Sequence, residues 1–330
     1  MIAAHESAAR MLSDQVRSLE CPHCHHGALG VDGSANGVAC SSCNSVYPLV
    51  NGVLRFIPGE QYAGSFGLQW NIHRKTQLDS QTGMPLSRNR LFKASGWPEN
   101  LHGQTILEAG SGAGRFTEVL VRTGAQVFSF DLSAAVEANY ANNGHNRNLL
   151  LFQADIFNIP VKPLSMDKVL CLGVLQHTPD PAAAFASLTK HVRPGGELVI
   201  DVYAARLRSL IAWKYALRPL TRRMDKDRLY RLVTAVTPPL VPIAARLGRV
   251  AGRFGPRLLP IVQYDHIGLP PPLNREWAIL DTFDMYAPAH DHPQTVNTVR
   301  RWFQEAGFVD VAVGYGPNGI VGRGRKPSSA

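Results

Sequence analysis

One stretch constrains the fold of this 330-residue chain more than any other: an apolar run ends in an acid and is followed by three alternating glycines, Ile106-Leu107-Glu108-Ala109-Gly110-Ser111-Gly112-Ala113-Gly114-Arg115-Phe116. In an open α/β sheet the first strand ends at a crevice, and the loop beyond it must bring backbone close to a ligand. Glycine allows that approach because it lacks a Cβ. A dinucleotide fingerprint spaces its glycines G-x-G-x-x-G, yet position 115 is Arg and the third glycine arrives one residue early. What remains is acid-x-G-x-G-x-G. A carboxylate at Glu108 repels a pyrophosphate and suits a ligand that carries an ammonium group.

The segments that follow repeat strand and helix signals. Gln126 to Phe130 is a short β-rich run ending in Asp131, 21 positions after Gly110, where the acid of a second strand reaches ribose hydroxyls. Leu149 to Ala154 ends in Asp155, and Val169 to Leu175 ends at Gln176-His177. A helix-like stretch from Pro181 to His191 leads to Arg193-Pro194-Gly195-Gly196, read as a turn, and then to a fifth strand from Glu197 to Tyr203. Such alternation predicts an α/β fold with a parallel, doubly wound sheet. Taken alone, Asp155 reads as a strand-end cap rather than a ligand; in series with Glu108 and Asp131 the ligand reading stands at least level with it.

Residues 105 to 203 resemble a class I S-adenosylmethionine-dependent methyltransferase. The resemblance is carried by Glu108 to Gly114, Asp131, Asp155, the segment Leu172-Gly173-Val174-Leu175-Gln176-His177 and the turn at 193–196. It implies a Rossmann-like sheet of seven strands, completed by an antiparallel hairpin near Val309–Val313 and Gly319–Val321. It also implies S-adenosyl-L-methionine as cofactor, held by Glu108, Gly110, Ser111, Gly112, Gly114, Asp131, Leu132, Asp155, Ile156 and Gly173. The fourth-strand segment is similar to the small-molecule branch of that family. His177 follows the fourth strand and has an intrinsic pKa near neutrality, so it is the candidate general base; the competing reading is a structural histidine that bonds the next turn. Asp265, Asp281 and Asp284 are weaker candidates, resting on their nearness in sequence to a presumed cap.

Four of the five cysteines fall in two pairs, Cys21-x-x-Cys24 and Cys40-x-x-Cys43, with 15 residues between them. That is zinc-ribbon spacing, and four thiolates close a tetrahedral site with no position left for substrate, so the metal is expected to be structural. Disulfides are the alternative. His23, His25 and His26 crowd the first pair as bystanders, and Cys171, in the fourth apolar run, reads as a core residue. The stretch from Leu19 to Pro58 looks like the zinc-ribbon modules attached to, or partnered with, RNA and protein methyltransferases.

The expected organisation is a ribbon module at 1–60, a helical lead-in at 61–104 and a methyltransferase domain at 105–330 that carries a cap insert at about 204–275. Tyr62, Phe66 and Trp70 recur every fourth residue and share a helix face. Packing is the plain reading, and a lid over the cofactor the other. From Arg206 to Val262 there are 13 Lys or Arg against two acids, an excess of 11 that outweighs the whole chain's +9. Two basic helices are expected there: one with Leu229, Leu232 and Val233 as its apolar face, and one from Leu240 to Leu259 with Arg246, Arg249 and Arg253. They suit an anionic partner, whether a membrane surface, RNA or a phosphorylated substrate, or else form a solvated face. Chain that follows strand five can return over the carboxyl ends of the strands, so these helices are read as an acceptor cap.

No signal peptide and no apolar run of transmembrane length is read, which makes the cytoplasm the expected location. Transfer of a methyl group to a small-molecule or glycan-precursor acceptor is the preferred function. The alternatives are an rRNA or tRNA base methyltransferase, whose Asn/Asp-Pro-Pro-Tyr/Phe signature is absent after strand four, and a donor-binding regulatory subunit without activity.

Overall fold

A computed structural model of the protein describes residues 15–32, 36–58, 61–205 and 213–328. Four short strands come first: β1 (Leu29–Val31), β2 (Gly37–Cys40), β3 (Val46–Val50) and β4 (Val53–Arg55). Helices α1 (Gly64–Ile72), α2 (Asp79–Thr82) and α3 (Leu86–Ser95) lead to β5 (Thr105–Ala109). There follow α4 (Thr117–Leu120), β6 (Gln126–Asp131), α5 (Ala135–Asn143), β7 (Leu149–Gln153), β8 (Met166–Leu172), α6 (Pro181–Thr189) and β9 (Val192–Val202). The cap comprises α7 (Trp213–Thr221), α8 (Lys226–Ala251) and α9 (Pro271–Tyr286), and the chain closes with α10 (Val296–Glu305), β10 (Val309–Gly316) and β11 (Gly319–Arg325).

The strands lie in the order β1-β2-β3-β4-β7-β6-β5-β8-β9-β11-β10. Within it, β7, β6, β5, β8 and β9 are parallel, and β11 and β10 add the expected antiparallel hairpin. Successive residues of each inner strand point to opposite faces: Leu107, Phe128 and Val169 enter one buried cluster, while Ile106, Val127 and Leu170 enter another. Helices therefore have apolar surface to cover on both sides, as a doubly wound sheet requires.

Three features depart from the sequence reading. The sheet is longer than seven strands, because β4 pairs in parallel with β7 through Leu54↔Phe152 and Arg55↔Gln153. No helix joins β7 to β8; Ile156, Ile159 and Val161 of that connection are buried in one cluster with Val16 and Leu19, and Leu19 bridges Val161. The N-terminal segment thus covers apolar residues that a crossover helix would otherwise shield. The 193–196 turn lies inside β9 as a bulge, where the pairing jumps from Met166↔Val192 to Lys168↔Glu197.

The cap also differs. Its long basic segment is a single 26-residue helix that contains Pro238, Pro239 and Pro242, rather than two helices. Leu229, Val233, Thr237, Val241 and Ala244 form its buried stripe, whereas Leu232 is exposed. Pro270 to Pro272 opens α9 with Pro at its first position, where the missing N–H has no helical partner to lose. Arg206 and Arg208 lie outside the described residues, as does the side chain of Arg253. Among the described residues no helix is long and apolar enough to cross a membrane.

Candidate active site and metal centre

The loop after β5 turns on three glycines with φ of 75° at Gly110, 52° at Gly112 and 86° at Gly114, a region that side-chain-bearing residues avoid. A Cβ at Gly110 would collide with Val174, and one at Gly114 with the amides of Asn139 and Asn143. Those amides are already engaged: Asn139 Nδ2 donates to Thr117 Oγ1 at 2.9 Å and Asn143 Nδ2 to the Gly114 carbonyl at 3.1 Å. Gly114→Ala should therefore destabilise the protein by about 1–3 kcal/mol, read as a lower urea midpoint at unchanged slope. An unaltered midpoint would show that the turn tolerates the methyl group.

Glu108 sits behind this loop and is not among the residues that line the cavity. Its Oε2 accepts from Thr117 Oγ1 at 2.5 Å and Ser129 Oγ at 2.7 Å, and burial pushes its carboxyl up to about 7. Asp131, at the carboxyl end of β6, accepts from the Gly112 amide at 2.9 Å and from the amide and hydroxyl of Ser133. Its carboxyl is raised by burial despite those bonds. Asp155 caps the Phe157 amide at 3.0 Å, and its neighbours Ala154 and Ile156 supply the cavity wall.

Beyond the carboxyl ends of the strands lies a cavity of about 660 Å³. It is bounded below by Gly110, Ser111, Gly112, Asp131, Leu132 and Gly173, and on one side by Tyr62, Phe66 and Trp70. The opposite wall is the cap: Lys214 of α7, Tyr264 and the α9 residues Trp277, Asp281, Asp284 and Met285. The long basic helix is not part of this wall. Instead it packs behind α9, where Leu229 and Val233 meet Phe283 and Tyr286.

His177 lines the cavity at the end of β8. Its Nδ1 lies 3.1 Å from the His290 carbonyl. A carbonyl only accepts, so Nδ1 carries the proton and Nε2 keeps a lone pair. Its ring is packed 5.2 Å from Phe66 and 5.3 Å from Tyr203. Burial holds its pKa below the ordinary 6.5, which leaves the imidazole neutral at physiological pH. Of the aspartates near the cap, Asp281 and Asp284 reach the cavity, while Asp265 bonds Asn274 away from it.

Sequence reasoning missed the cations of the cavity. Arg90 of α3 pairs with the buried Asp201 at 2.8 Å and stacks on Phe116. Arg115 bonds Ser87 and Gln77 and lies over Phe116 and Trp277; burial lowers its pKa to about 10, so it stays protonated. Lys214 pairs with Asp291 at 2.7 Å. Burial raises the Asp281 carboxyl to about 6, and the Tyr264 hydroxyl donates to it. Asp284 accepts from Tyr203 at 3.2 Å. Arg115 directly follows the third glycine and was visible as a break in the pattern. Arg90 sits on a polar helix with no local signal.

The four N-terminal thiols meet as their spacing predicts. Cys21, Cys24, Cys40 and Cys43 place their Sγ atoms within 4.8 Å of one another, with Cys21–Cys43 and Cys24–Cys40 both at 3.6 Å. Zinc–sulfur bonds in a tetrahedron separate sulfurs by about 3.8 Å, so the cluster fits the ion and is too open for a disulfide. Tyr47 Oη lies 3.1 Å from Cys21 Sγ, and Gly27 leaves room for Cys40 that a Cβ would fill. His23, His25 and His26 are not part of the cluster.

Part of the chain is similar to known proteins. The sequence model of a methyltransferase domain family matches residues 107–200. A ubiquinone biosynthesis O-methyltransferase from Sodalis glossinidius is 28% identical over 145 residues, covering 42% of this chain and 57% of that protein. The protein of the same name from Psychrobacter arcticus is 30% identical over 135 residues, covering 37% and 51%. The chain thus spans little more than half the length of these relatives. Among solved structures, Haemonchus contortus phosphoethanolamine N-methyltransferase 2 in complex with S-adenosyl-L-methionine aligns over 70% of this chain and 38% of its own, at 15% identity and a TM-score of 0.39.

Proposed function

We propose that this chain, whose residues 107–200 form a class I S-adenosylmethionine-dependent methyltransferase domain, methylates an oxygen of a small-molecule acceptor held beneath its helical cap. The observation that carries the reading is the neutral His177, its tautomer fixed by the His290 carbonyl, in the same cavity as the glycine loop. When bound, the donor supplies an electrophilic methyl group on a sulfonium. The glycine backbone, Asp131 and Arg90 suit its carboxylate and ribose, and the hydroxyl of Ser111, without a hydrogen-bond partner among the described residues, is a further polar group there.

The chain's own residues then have two tasks. Tyr62, Phe66, Trp70, Trp277 and Met285 exclude water and hold the acceptor in line, and alignment alone contributes roughly 7–11 kcal/mol to lowering the barrier. His177 Nε2 would take the proton that the acceptor hydroxyl loses when its oxygen receives the methyl group, the S–CH3 bonding pair leaving on sulfur as a neutral thioether. The names of the relatives support oxygen over nitrogen. Zinc at the four thiols is structural in this reading, and reduced thiols suit a cytoplasmic setting.

Incubation with isotope-labelled donor tests the proposal against a panel of phenols and catechols beside bulk tRNA and rRNA. Label is expected in an organic-extractable ether. Label in RNA instead would establish the nucleic-acid reading, and tight donor binding without transfer to any acceptor would leave a regulatory subunit. Turnover should also fall as the pH drops through the depressed pKa of His177, because the protonated ring cannot accept.

A further inference from the structure

Flanking its buried stripe, α8 exposes a further apolar row. Leu232, Val236, Ile243 and Val250 follow one another at four- and seven-residue steps and are 49, 40, 43 and 88% exposed. Those steps keep the four on one helix face. Arg228, Arg231, Arg246 and Arg249 run beside the row, all exposed, and none makes an ion pair among the described residues. From residue 228 to 264 the sequence contains no acid at all. At the far end Trp213 and Leu258 are 44 and 63% exposed, and the Trp213 ring nitrogen donates to the Leu258 carbonyl at 3.1 Å.

We propose that this outer face of α8, with Trp213 and Leu258, docks in the interface of an anionic phospholipid bilayer. A helix of 26 residues is about 39 Å long, and with guanidinium groups beside an apolar row it lies in the plane of the membrane surface rather than across it. The apolar row enters the acyl boundary, the arginines meet lipid phosphates, and Trp213 sits at headgroup level, where amphipathic rings are favoured. RNA offers phosphate to the arginines but nothing to receive four aliphatic side chains. Docking does not require methyl transfer, so it stands or falls separately from the catalytic reading. The buried stripe of α8 packs on α9, which in turn walls the cavity.

Co-sedimentation of the full zinc-loaded chain with phosphatidylcholine vesicles, with and without about one-third phosphatidylglycerol, tests this. Binding is expected only to the anionic vesicles and should weaken at least tenfold between about 0.05 and 0.5 M salt. Val236→Asp with Ile243→Asp, and separately Arg246→Glu with Arg249→Glu, should each reduce binding at least tenfold while thermal melting stays unchanged, since all four side chains are exposed. Failure to sediment with anionic vesicles, full binding by either variant, self-association that hides the row, or competition by RNA that the apolar substitutions leave untouched would each overturn the proposal.

Discussion

With His177 as the proposed base, His177→Ala should lower kcat about 10²- to 10⁴-fold while the dissociation constant of the methyl donor stays as it was. The imidazole is fitted to the proposed role by burial and one hydrogen bond: desolvation keeps the ring neutral, and the His290 carbonyl accepts a hydrogen bond from Nδ1–H, so Nε2 is left to accept. Alanine removes the acceptor of the proton but leaves the glycine loop and Asp131 intact. Two measurements separate chemistry from packing. The acid limb of the rate profile, set by a group titrating below 6.5, disappears in the variant, and acidic phenols, which need less help in losing a proton, suffer least. Wild-type turnover by the variant at saturating donor and acceptor would remove His177 from the mechanism.

Removing zinc from the four thiols proposed to hold it should cost the protein much of its stability. Binding of structural zinc is worth about 10–16 kcal/mol in small modules of this kind, and here the module shares its core with the main sheet. Cys21, Cys40, Tyr47 and Leu54 belong to one buried cluster with Phe152, Ile156 and Ile159. Cys24→Ser with Cys40→Ser, or prolonged chelation, should therefore lower the melting temperature by on the order of 10 °C. Donor affinity should fall with it, because Ala154 and Ile156 reach the cavity directly after β7. Metal analysis should return one zinc per chain, recovered on re-addition. A chelated protein that melts at the holo temperature would show that the sheet stands without the module.

Much of the fold is legible in sequence because its determinants are local. Alternating apolar runs and the glycine turn locate β5 to β9, and the Cys-x-x-Cys pairs locate the thiol cluster. Local signals do not reveal register between distant segments, which is why the pairing of Leu54 with Phe152 and the packing of Leu19 on Val161 had no sequence signature. The proline-containing α8 follows from the same limit: propensity argues for a break at Pro238 and Pro239, while burial of Leu229, Val233, Val241 and Ala244 along one stripe carries the helix through. At the candidate site, the strand-end positions 110–112, 131 and 173–177 can be read in advance because the fold puts strand ends at the crevice. Arg90, Tyr264 and Asp281 converge from segments far apart in the chain, and only tertiary packing brings them together.

The parallel pairing of β4 on β7 has a further consequence for how this molecule keeps to itself. An uncovered outer strand is a row of unpaired amides and carbonyls ready to recruit another chain. Here a short neighbour occupies that row at Phe152 and Gln153, and three antiparallel pairings carry the boundary out to the three-residue β1. With zinc at the thiols as proposed, its loss would bare the flank of the main sheet as well as loosen a small appendage, and oxidation of the thiols should promote aggregation.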